Sequence, residues 1–324
     1  MDEVKQLEKQ ATVYVVPTKP FSFEGTFFKP SHFPSELVLH DNGRLYQAIE
    51  VGGHAFGVEI FGSSPNSQKV GITIYAPKAI SDSIKKAIKR EVVTRYDLDG
   101  DIGGFIEEYR GDSLLAEPIQ RWGGMRPSVA YSLYGFLMVA TVLQNATVKR
   151  TVQMMDALLK QYGKKLIFAG KEVYAIWSPE DMEEVSETDL RDLRIGYRAK
   201  NIKRISHSFV TKQVSEELLR SMRSKQDIKE ALLEIYGVGP QSVSYLLFEA
   251  FHFYDALDHL SPWEGKIVSM LLYGNKTTIP KRTLEDVEKR WGKWKMLAIH
   301  YIFEDLFWRR KEEHIPWLEE EIRM

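Results

Sequence analysis

The sequence changes character near residue 97, and this change limits the possible folds more than any other feature. Before it, β-branched and aromatic runs such as TVYVVP and KVGITIYAP are separated by Gly, Asn and Pro, which is typical of strands joined by turns. After it, apolar residues recur at helical spacing almost throughout. We therefore predict an α+β fold, in which an antiparallel β-sheet domain with helices over residues 1–98 precedes a mostly α-helical core over residues 99–324.

The composition excludes several kinds of chemistry. The sequence has no cysteine, so a disulfide, a thiolate nucleophile, a cysteine zinc site and an iron–sulfur cluster are all ruled out. The N-terminal MDEVKQLEKQ lacks the apolar core of a signal peptide, and the longest apolar stretch, residues 128–143, is too short to cross a bilayer comfortably. We expect that stretch to be a buried helix, and the protein to be cytoplasmic, nucleoid-associated in a prokaryote, with no membrane partner.

Charge is distributed unevenly, although the net charge is only −1. The segment 191–229 contains 11 Lys and Arg against 4 Asp and Glu, whereas residues 172–189 contain seven acids and no base. The basic segment ends just before the motif YGVGP. Such a block is the electrostatic footprint of a phosphate-binding surface, and a solvated helix face is the alternative.

The motif GVGP joins two segments that both have helical spacing. SKQDIKEALLEIYG precedes it and PQSVSYLLFEAFHF follows, so we predict a tight helical hairpin over residues 224–252. Gly237 and Gly239 allow a short turn and a close approach of backbone to ligand, and Pro240 suits the first turn of the second helix. Unpaired N–H groups at that helix start would bind an anion. A plain corner between two helices is the alternative.

Several segments together resemble the helix-hairpin-helix (HhH-GPD) DNA glycosylase superfamily, in particular its AlkA-like 3-methyladenine DNA glycosylase II branch. The resemblance covers residues 97–303 and includes, in order, YDLDGDIGGFIEEYRGDSLLAEPIQRWGGMRP, FLMVATVLQNATVKR, LRDLRIGYRAKNIKRIS, LLEIYGVGPQSVSYLLF and RWGKWKMLAIHYIF. It implies a core of two helical subdomains, no cofactor and no metal. It also implies that the partner is double-stranded DNA containing a damaged base, which the protein flips into a pocket. We expect a monomer.

The resemblance assigns DNA contacts to particular residues. The backbone of Gly237 and Gly239 would hold a phosphate, and Asn145 would fill the gap left by the flipped base. An ordinary turn residue is the alternative for Asn145. Gln241 belongs to the hairpin, while Arg198 and Lys200 belong to the segment before it; these three are also predicted to contact DNA.

For the base pocket, the resemblance points to Tyr245 on the second hairpin helix, and to Phe303 or Tyr301 on the last helix. A core tyrosine is the alternative for Tyr245. Bifunctional members of the superfamily carry a lysine two residues after the second hairpin glycine, which forms a Schiff base with the sugar. Gln241 stands there and cannot form an imine, so no lyase activity is expected.

The catalytic aspartate of the family is absent from its aligned position, at the start of the helix after the hairpin. Ser261 is the residue selected by the helix-start pattern, with Asp258 three residues upstream and Glu264 three downstream. Of the two acids Asp258 ranks first, because the family's acid lies at the junction of loop and helix. Glu264 can also be read as the acid of a capping box begun by Ser261.

The leading hypothesis is a monofunctional DNA glycosylase of base excision repair that excises damaged, alkylated purines. A positively charged alkylated base is a good leaving group, so it needs less acid–base assistance than an ordinary base. Two alternatives remain. One is a catalytically weak or inactive helix-hairpin-helix protein that binds damaged DNA, and the other is a glycosylase for oxidised or deaminated purines.

Overall fold

The structure is a computed structural model that describes residues 5–31, 35–64, 67–275 and 279–321. The strands are β1 Lys5–Gln6, β2 Lys9–Val15, β3 Val38–Asp41, β4 Arg44–Val51, β5 His54–Ser64, β6 Ser67–Ala76, β7 Lys164–Phe168 and β8 Lys171–Ala175. The first helices are α1 Phe23–Phe27, α2 Asp82–Arg95, α3 Gly103–Tyr109, α4 Ala116–Trp122, α5 Leu133–Leu143, α6 Val148–Tyr162, α7 Pro179–Glu183 and α8 Glu187–Asp192. The remaining helices are α9 Arg198–Val210, α10 Glu216–Ser221, α11 Lys225–Leu233, α12 Pro240–Glu249, α13 Pro262–Tyr273, α14 Pro280–Trp291, α15 Lys295–Glu312 and α16 Pro316–Glu321.

The N-terminal part is the predicted antiparallel sheet. Its five strands lie in the order β2-β6-β5-β4-β3, and the turn between β3 and β4 uses Asn42 and Gly43, both with positive φ. Apolar residues at every second position of the strands cover one face of the sheet, where Ile49, Val58 and Ile72 are fully buried. Helix α2 packs on this sheet. The predicted α+β class is therefore confirmed.

A second strand pair, β7 and β8, interrupts the helical part and was not predicted. Strand β7 pairs antiparallel with β8 and parallel with β1, so it ties the chain's first strand to its middle. Leu166, Phe168 and Val173 pack with Leu7 and Tyr46 in a separate buried cluster against the outer face of the sheet. The prediction of nearly continuous helices after residue 97 is thus wrong over residues 164–175.

Two predicted helices have different bounds in the structure. The helix predicted over the apolar stretch 128–143 begins only at Leu133, because the Ser132 hydroxyl accepts the N–H of Gly135 and caps the helix there. The amphipathic segment TLEDVEKRWGKWKMLAIHYIFEDLFWRRKEE predicts one long helix, but it is broken at Gly292, which has φ 45° and separates α14 from α15.

The helical hairpin is present as α11 and α12, joined through Gly237 and Gly239. The helices after the sheet form two packed groups: one contains α5, α6 and α7–α9, the other α4, α14 and α15. Within the described ranges, no helix is both long enough and apolar enough to cross a membrane.

Candidate active site

A cavity of about 600 Å³ opens where the N-terminal sheet, the α5–α6 turn and the hairpin helix α12 meet. Apolar and aromatic side chains form much of its wall, including Phe27, Tyr131 and Phe136. The volume is within the range of roughly 300–1,000 Å³ that is usual for small-molecule sites. The cavity is therefore large enough to accept a nucleobase lifted out of a duplex.

One face of α12 lines this cavity. Gln241, Tyr245 and Glu249 are spaced four residues apart, so their side chains project from the same side of the helix, and all three lie on the cavity wall. This face begins next to the glycine turn and runs inward from it. The predicted pocket residue Tyr245 is therefore at the cavity.

A carboxylate lies directly behind two of these residues. Glu264 is 5% exposed, and its side chain accepts hydrogen bonds from the Tyr245 hydroxyl and, at 3.0 Å, from the Gln241 amide. Burial and the adjacent carboxylate raise the pKa of Tyr245 well above its usual value, so the phenol keeps its proton and donates. Glu264, in the first turn of α13, thus contacts the face of α12 that lines the cavity.

The same carboxylate forms the predicted capping box. The Ser261 N–H donates to Glu264 at 2.7 Å, and the Ser261 hydroxyl accepts the N–H of Glu264 at 3.2 Å. Pro262 occupies the first position of α13, which suits a residue without an N–H. The cap fixes the orientation of the carboxylate, so the capping and site interpretations of Glu264 are compatible.

Asp258, the acid ranked first from sequence, faces a different way. Its carboxylate accepts a hydrogen bond from Lys229 at 2.6 Å and lies 3.8 Å from the Lys295 ammonium. Partial burial alone would raise the pKa of Asp258, but these two lysines outweigh it and hold the pKa below its ordinary value. Neither acid lines the described cavity, but Glu264 contacts two residues of its wall, whereas Asp258 belongs to a surface ion-pair network. The ranking of Asp258 over Glu264 therefore does not fit these contacts.

The two hairpin glycines differ in their surroundings. Gly237 has φ 79°, and a Cβ added there would lie 2.8 Å from the Asn201 amide. A Cβ added at Gly239 would meet no atom of the described residues within 4 Å. Gly239 precedes Pro240, the first residue of α12, so the N–H groups of that helix start lie beside an open surface.

The α5–α6 turn is held against this hairpin. The Gln144 amide donates to the carbonyl oxygen of Gly237 at 2.8 Å. Asn145, with φ 50°, lies at the cavity, and its side-chain amide donates a hydrogen bond to the Tyr197 hydroxyl. Tyr197 is 46% exposed, and its hydroxyl donates in turn to the carbonyl oxygen of Gln144. Asn145 therefore lies at the edge of the cavity, and its role in filling a gap in the base stack stays a prediction.

Arg198 and Lys200, both predicted to contact DNA, have different environments. Arg198 is buried, and its guanidinium donates to the carbonyl oxygens of Val142, Gln144 and Ile195. This arrangement positions the α5–α6 turn and does not fit a direct contact with DNA. Lys200, by contrast, is exposed.

An exposed aromatic stands on the basic segment beside the hairpin, and sequence reasoning did not single it out. Tyr236 is 41% exposed and carries the Arg204 guanidinium 4.1 Å from its ring centre and the Lys200 ammonium 5.9 Å away. A positive surface therefore continues from α9 to the glycine turn.

Helix α15, which carries the residues predicted for the last helix, contributes a different residue to the cavity. Tyr301 is fully buried, and its hydroxyl donates to the Met125 carbonyl at 3.0 Å, so it belongs to the core. Phe303 packs on Trp263, with ring centres 5.5 Å apart. Instead, Glu304 of the same helix lines the cavity. Its neighbours Tyr301 and Phe303 do not fit the predicted role in the base pocket.

Three ionisable side chains meet at the end of the cavity away from the hairpin: Lys29, Glu249 and Glu304. Burial lowers the pKa of Lys29, and the two glutamates oppose this. Burial raises the pKa of Glu249 to about 7, with Lys29 acting against the rise and Glu304 adding to it. Sequence reasoning missed this cluster, because its members come from three distant segments.

Comparison with known proteins agrees with this architecture. Residues 138–315 match the family described as HhH-GPD superfamily base excision DNA repair protein. A DNA-3-methyladenine glycosylase of Bacillus subtilis is 25% identical over 228 residues, which are 68% of this chain and 74% of that protein. A probable N-glycosylase/DNA lyase of Methanothermobacter thermautotrophicus is 21% identical over 241 residues, 68% of this chain and 76% of that protein.

Solved structures share the fold over most of the chain. The 3-methyladenine DNA glycosylase from Archaeoglobus fulgidus has a TM-score of 0.73 at 16% identity, covering 93% of this chain and 98% of that one. The 8-oxoguanine glycosylase/lyase of Clostridium acetobutylicum has a TM-score of 0.69 at 20% identity, covering 94% and 99%.

The matched residues span more than half of the chain and contain the hairpin, the α12 face and Glu264. This match identifies the chain as a base excision DNA repair protein. The chain belongs to the HhH-GPD superfamily, and its predicted relationship to the AlkA-like glycosylases is confirmed.

Proposed function

We propose that the protein is a monofunctional DNA glycosylase that flips damaged, alkylated purines out of double-stranded DNA and hydrolyses their N-glycosidic bond. The observation that carries this proposal is Glu264, whose carboxylate is fixed by the helix cap and contacts both Gln241 and Tyr245 on the cavity wall. The name of the Bacillus subtilis relative, a DNA-3-methyladenine glycosylase, also supports an alkylated substrate.

The proposed reaction needs little from the protein beyond placement and charge. The C1′–N bond breaks, and the base leaves with the electron pair, so a base that is cationic before cleavage leaves neutral. Positive charge develops on the sugar, and the carboxylate of Glu264 stabilises it in a largely apolar surrounding. A water molecule adds to C1′ and loses its proton to the carboxylate or to solvent.

The hairpin supplies the DNA contact in this proposal. Gly239 leaves an open surface beside the start of α12, where N–H groups and the helix dipole favour a phosphate. Lys200, Arg204 and Tyr236 extend this surface. Asn145, at the cavity edge and bonded to Tyr197, would fill the space left in the duplex.

The test compares isosteric substitutions of the two acids. We expect Glu264→Gln to lower single-turnover release of 7-methylguanine or 3-methyladenine by about 100-fold or more, as for loss of a charge aimed at the transition state. Glutamine can still complete the capping box, so the fold should persist. The matched control Asp258→Asn, at a carboxylate bound by Lys229 and Lys295, should keep release within about threefold of the parent.

Folding and DNA binding are measured on the same proteins, by thermal unfolding and by affinity for a duplex with a non-cleavable abasic analogue. Full activity in Glu264→Gln together with loss in Asp258→Asn would reverse the two roles. Release of 8-oxoguanine or hypoxanthine in place of alkylated bases would favour the alternative purine substrates. A parent that binds damaged duplex yet releases no base would favour the binding-protein alternative.

A further inference from the structure

Glu249 lies deeper in the cavity than the residues that contact Glu264. An α-helix rises 1.5 Å per residue, so Glu249 is about 12 Å further along α12 than Gln241. The sugar would lie near Gln241 and Glu264 in the proposed function. A purine attached to it would extend along Tyr245 and present its far edge to Glu249.

Lys29, Glu249 and Glu304, which we call the deep cluster, are contributed by the segment after α1, by α12 and by α15. Ser31 fixes Glu304, donating from its hydroxyl at 2.6 Å and from its N–H at 3.0 Å. Glu249 is only half-buried, since its side chain borders the cavity. Lys29 is half-buried at the cavity as well, whereas Glu304 is buried, so Glu249 is the acid of the deep cluster that a ligand in the cavity can reach most readily.

The deep cluster contains two carboxylates and one ammonium. Among the described residues, Glu304 is acted on by both Lys29 and Lys311, whereas Glu249 is acted on by Lys29 alone. When both acids are ionised they share Lys29, so the charge of Glu249 is incompletely balanced in a cavity with many apolar wall residues. An unbalanced charge in such a place is costly, so it favours either a proton on Glu249 or a positive charge on the ligand.

We propose that the deep cluster reads the charge of the flipped base, and that Glu249 is the specificity-determining residue that favours a positively charged purine over a neutral one. This inference rests on the proposed function and names the part of the cavity that selects its substrate. A purine alkylated on a ring nitrogen carries a delocalised positive charge, which the free carboxylate of Glu249 neutralises. An uncharged purine leaves that carboxylate either unbalanced or protonated.

A dependence on pH follows from this arrangement. Because burial raises the pKa of Glu249 to about 7, a cationic base must displace a proton at pH 6 but finds a carboxylate at pH 8. Release of a cationic base should therefore become more efficient as pH rises through 7. The imidazoles near Glu249 stay neutral in this window, because burial lowers the pKa of His252 to about 4 and that of His300 well below its usual value.

The phenols beside Glu249 also keep one charge state. Burial raises the pKa of Tyr131 to about 12 and that of Tyr245 well above its usual value. Lys29 and Glu304 complete the set of charges that face Glu249. Since Lys29 opposes the rise in the pKa of Glu249, Lys29→Met should move the pH midpoint upward, whereas Glu249→Gln should flatten the profile.

The experiment uses two duplexes of one sequence, with 7-methylguanine as the cationic base and 8-oxoguanine as the neutral one, each opposite cytosine. Glu249→Gln should lower the single-turnover release of 7-methylguanine by about tenfold, as for loss of a charge-assisted contact. Release of 8-oxoguanine should change by less than about threefold. For a base released too slowly, the affinity for its duplex provides the same comparison.

Asp305→Asn is the matched control. Asp305 is a buried acid adjacent to Glu304 on α15, but its carboxylate accepts hydrogen bonds from Arg121 and, at 3.1 Å, from the Trp122 indole. Removing this charge should leave the ratio between the two lesions and the pH profile unchanged.

An equal fall on both lesions in Glu249→Gln would overturn the inference, as would an unchanged ratio with an unchanged pH profile. In either case a parent that releases 7-methylguanine leaves the proposed function standing. A parent that releases no base from any of these duplexes refutes the proposed function, and the inference with it.

Discussion

Gln241 is the single residue on which the proposed absence of lyase activity depends. Its amide lies on the cavity wall and donates to Glu264 at 3.0 Å. A primary amine there could attack C1′ and form an imine, which an amide cannot do. Lys29 is the amine on the described cavity wall, but it lies at the opposite end of the α12 face, beside Glu249.

We therefore expect the parent to form no borohydride-trapped adduct with damaged or abasic DNA, and Gln241→Lys to form one. Denaturing gel electrophoresis after reduction provides the measurement. An adduct formed by the parent that disappears in Lys29→Met would contradict the monofunctional proposal and identify the deep lysine as the nucleophile.

The acids near the site show what residue spacing can and cannot predict. The pattern Ser261-Pro-Trp-Glu264 predicts a capping box, and the box is present. The same spacing could not tell which carboxylate contacts the residues of the cavity wall. That depends on Lys229 and Lys295, which approach Asp258 from distant segments, and on Tyr245 and Gln241, which approach Glu264.

At the scale of elements, the glycine turn and the α5–α6 turn form one surface. The amide of Gln144 donates a hydrogen bond to the carbonyl oxygen of Gly237, so the turn that carries Asn145 and the hairpin are positioned together. A change on the open side of the hairpin should thus affect DNA binding without disturbing the core, whereas a change at Gly237 should affect both.

The hairpin prediction uses Gly239, where a side chain has free space. Gly239→Asp should weaken affinity for duplex DNA of any sequence by about tenfold or more, because its carboxylate would face a phosphate. Gly239→Ala, the matched control, adds a methyl group without charge and should bind within about threefold of the parent. Anisotropy titrations at several salt concentrations measure both, and equal binding by the Asp variant would show that the hairpin is structural only.

Local signals predicted the helices with clear caps but not the β7–β8 pair. Ser81, Ser186 and Ser224 each cap a helix near the position that the sequence indicates. Strands β7 and β8 are five residues each, and β7 is completed by pairing with β1, far away in the chain. A short apolar run does not by itself distinguish a strand from a helix, and its partner strand is not visible in local sequence.

At the scale of the whole molecule, a buried polar cluster joins the end of the sheet domain to the loop after the hairpin. Asp97, 2% exposed, accepts a hydrogen bond from the Tyr254 hydroxyl at 2.6 Å and lies 3.3 Å from the His252 imidazole. Burial raises the pKa of Asp97 from 3.8 to about 6. The folded protein thus holds this proton more tightly than the unfolded chain.

The sign of the resulting pH effect follows from linkage. Between about pH 4 and 6 the folded state binds the extra proton, so the contribution of Asp97 to stability falls as pH rises through this window. The free energy of unfolding of the parent, relative to Asp97→Asn, should therefore fall by roughly 2–3 kcal/mol from pH 4 to 7. Urea unfolding at each pH measures it.

Asp82 serves as the control for that series, because it is exposed and its hydrogen bond from Lys85 lowers its pKa. Because a pKa lowered from 3.8 places its titration below this window, Asp82→Asn should leave the pH dependence from pH 4 to 7 nearly unchanged. If the difference in unfolding free energy between the parent and Asp97→Asn stays constant from pH 4 to 7, the raised pKa of Asp97 is contradicted.

The pairing of β1 with β7 has a consequence for the order in which the protein can be completed during synthesis. Leu7 and Tyr46 emerge from the ribosome early, but Leu166, Phe168 and Val173, which cover them, are made more than a hundred residues later. Gly57 also leaves room for the Phe168 ring, since a Cβ there would lie 2.4 Å from it. The outer face of the first sheet therefore remains partly uncovered until β7 and β8 have been synthesised.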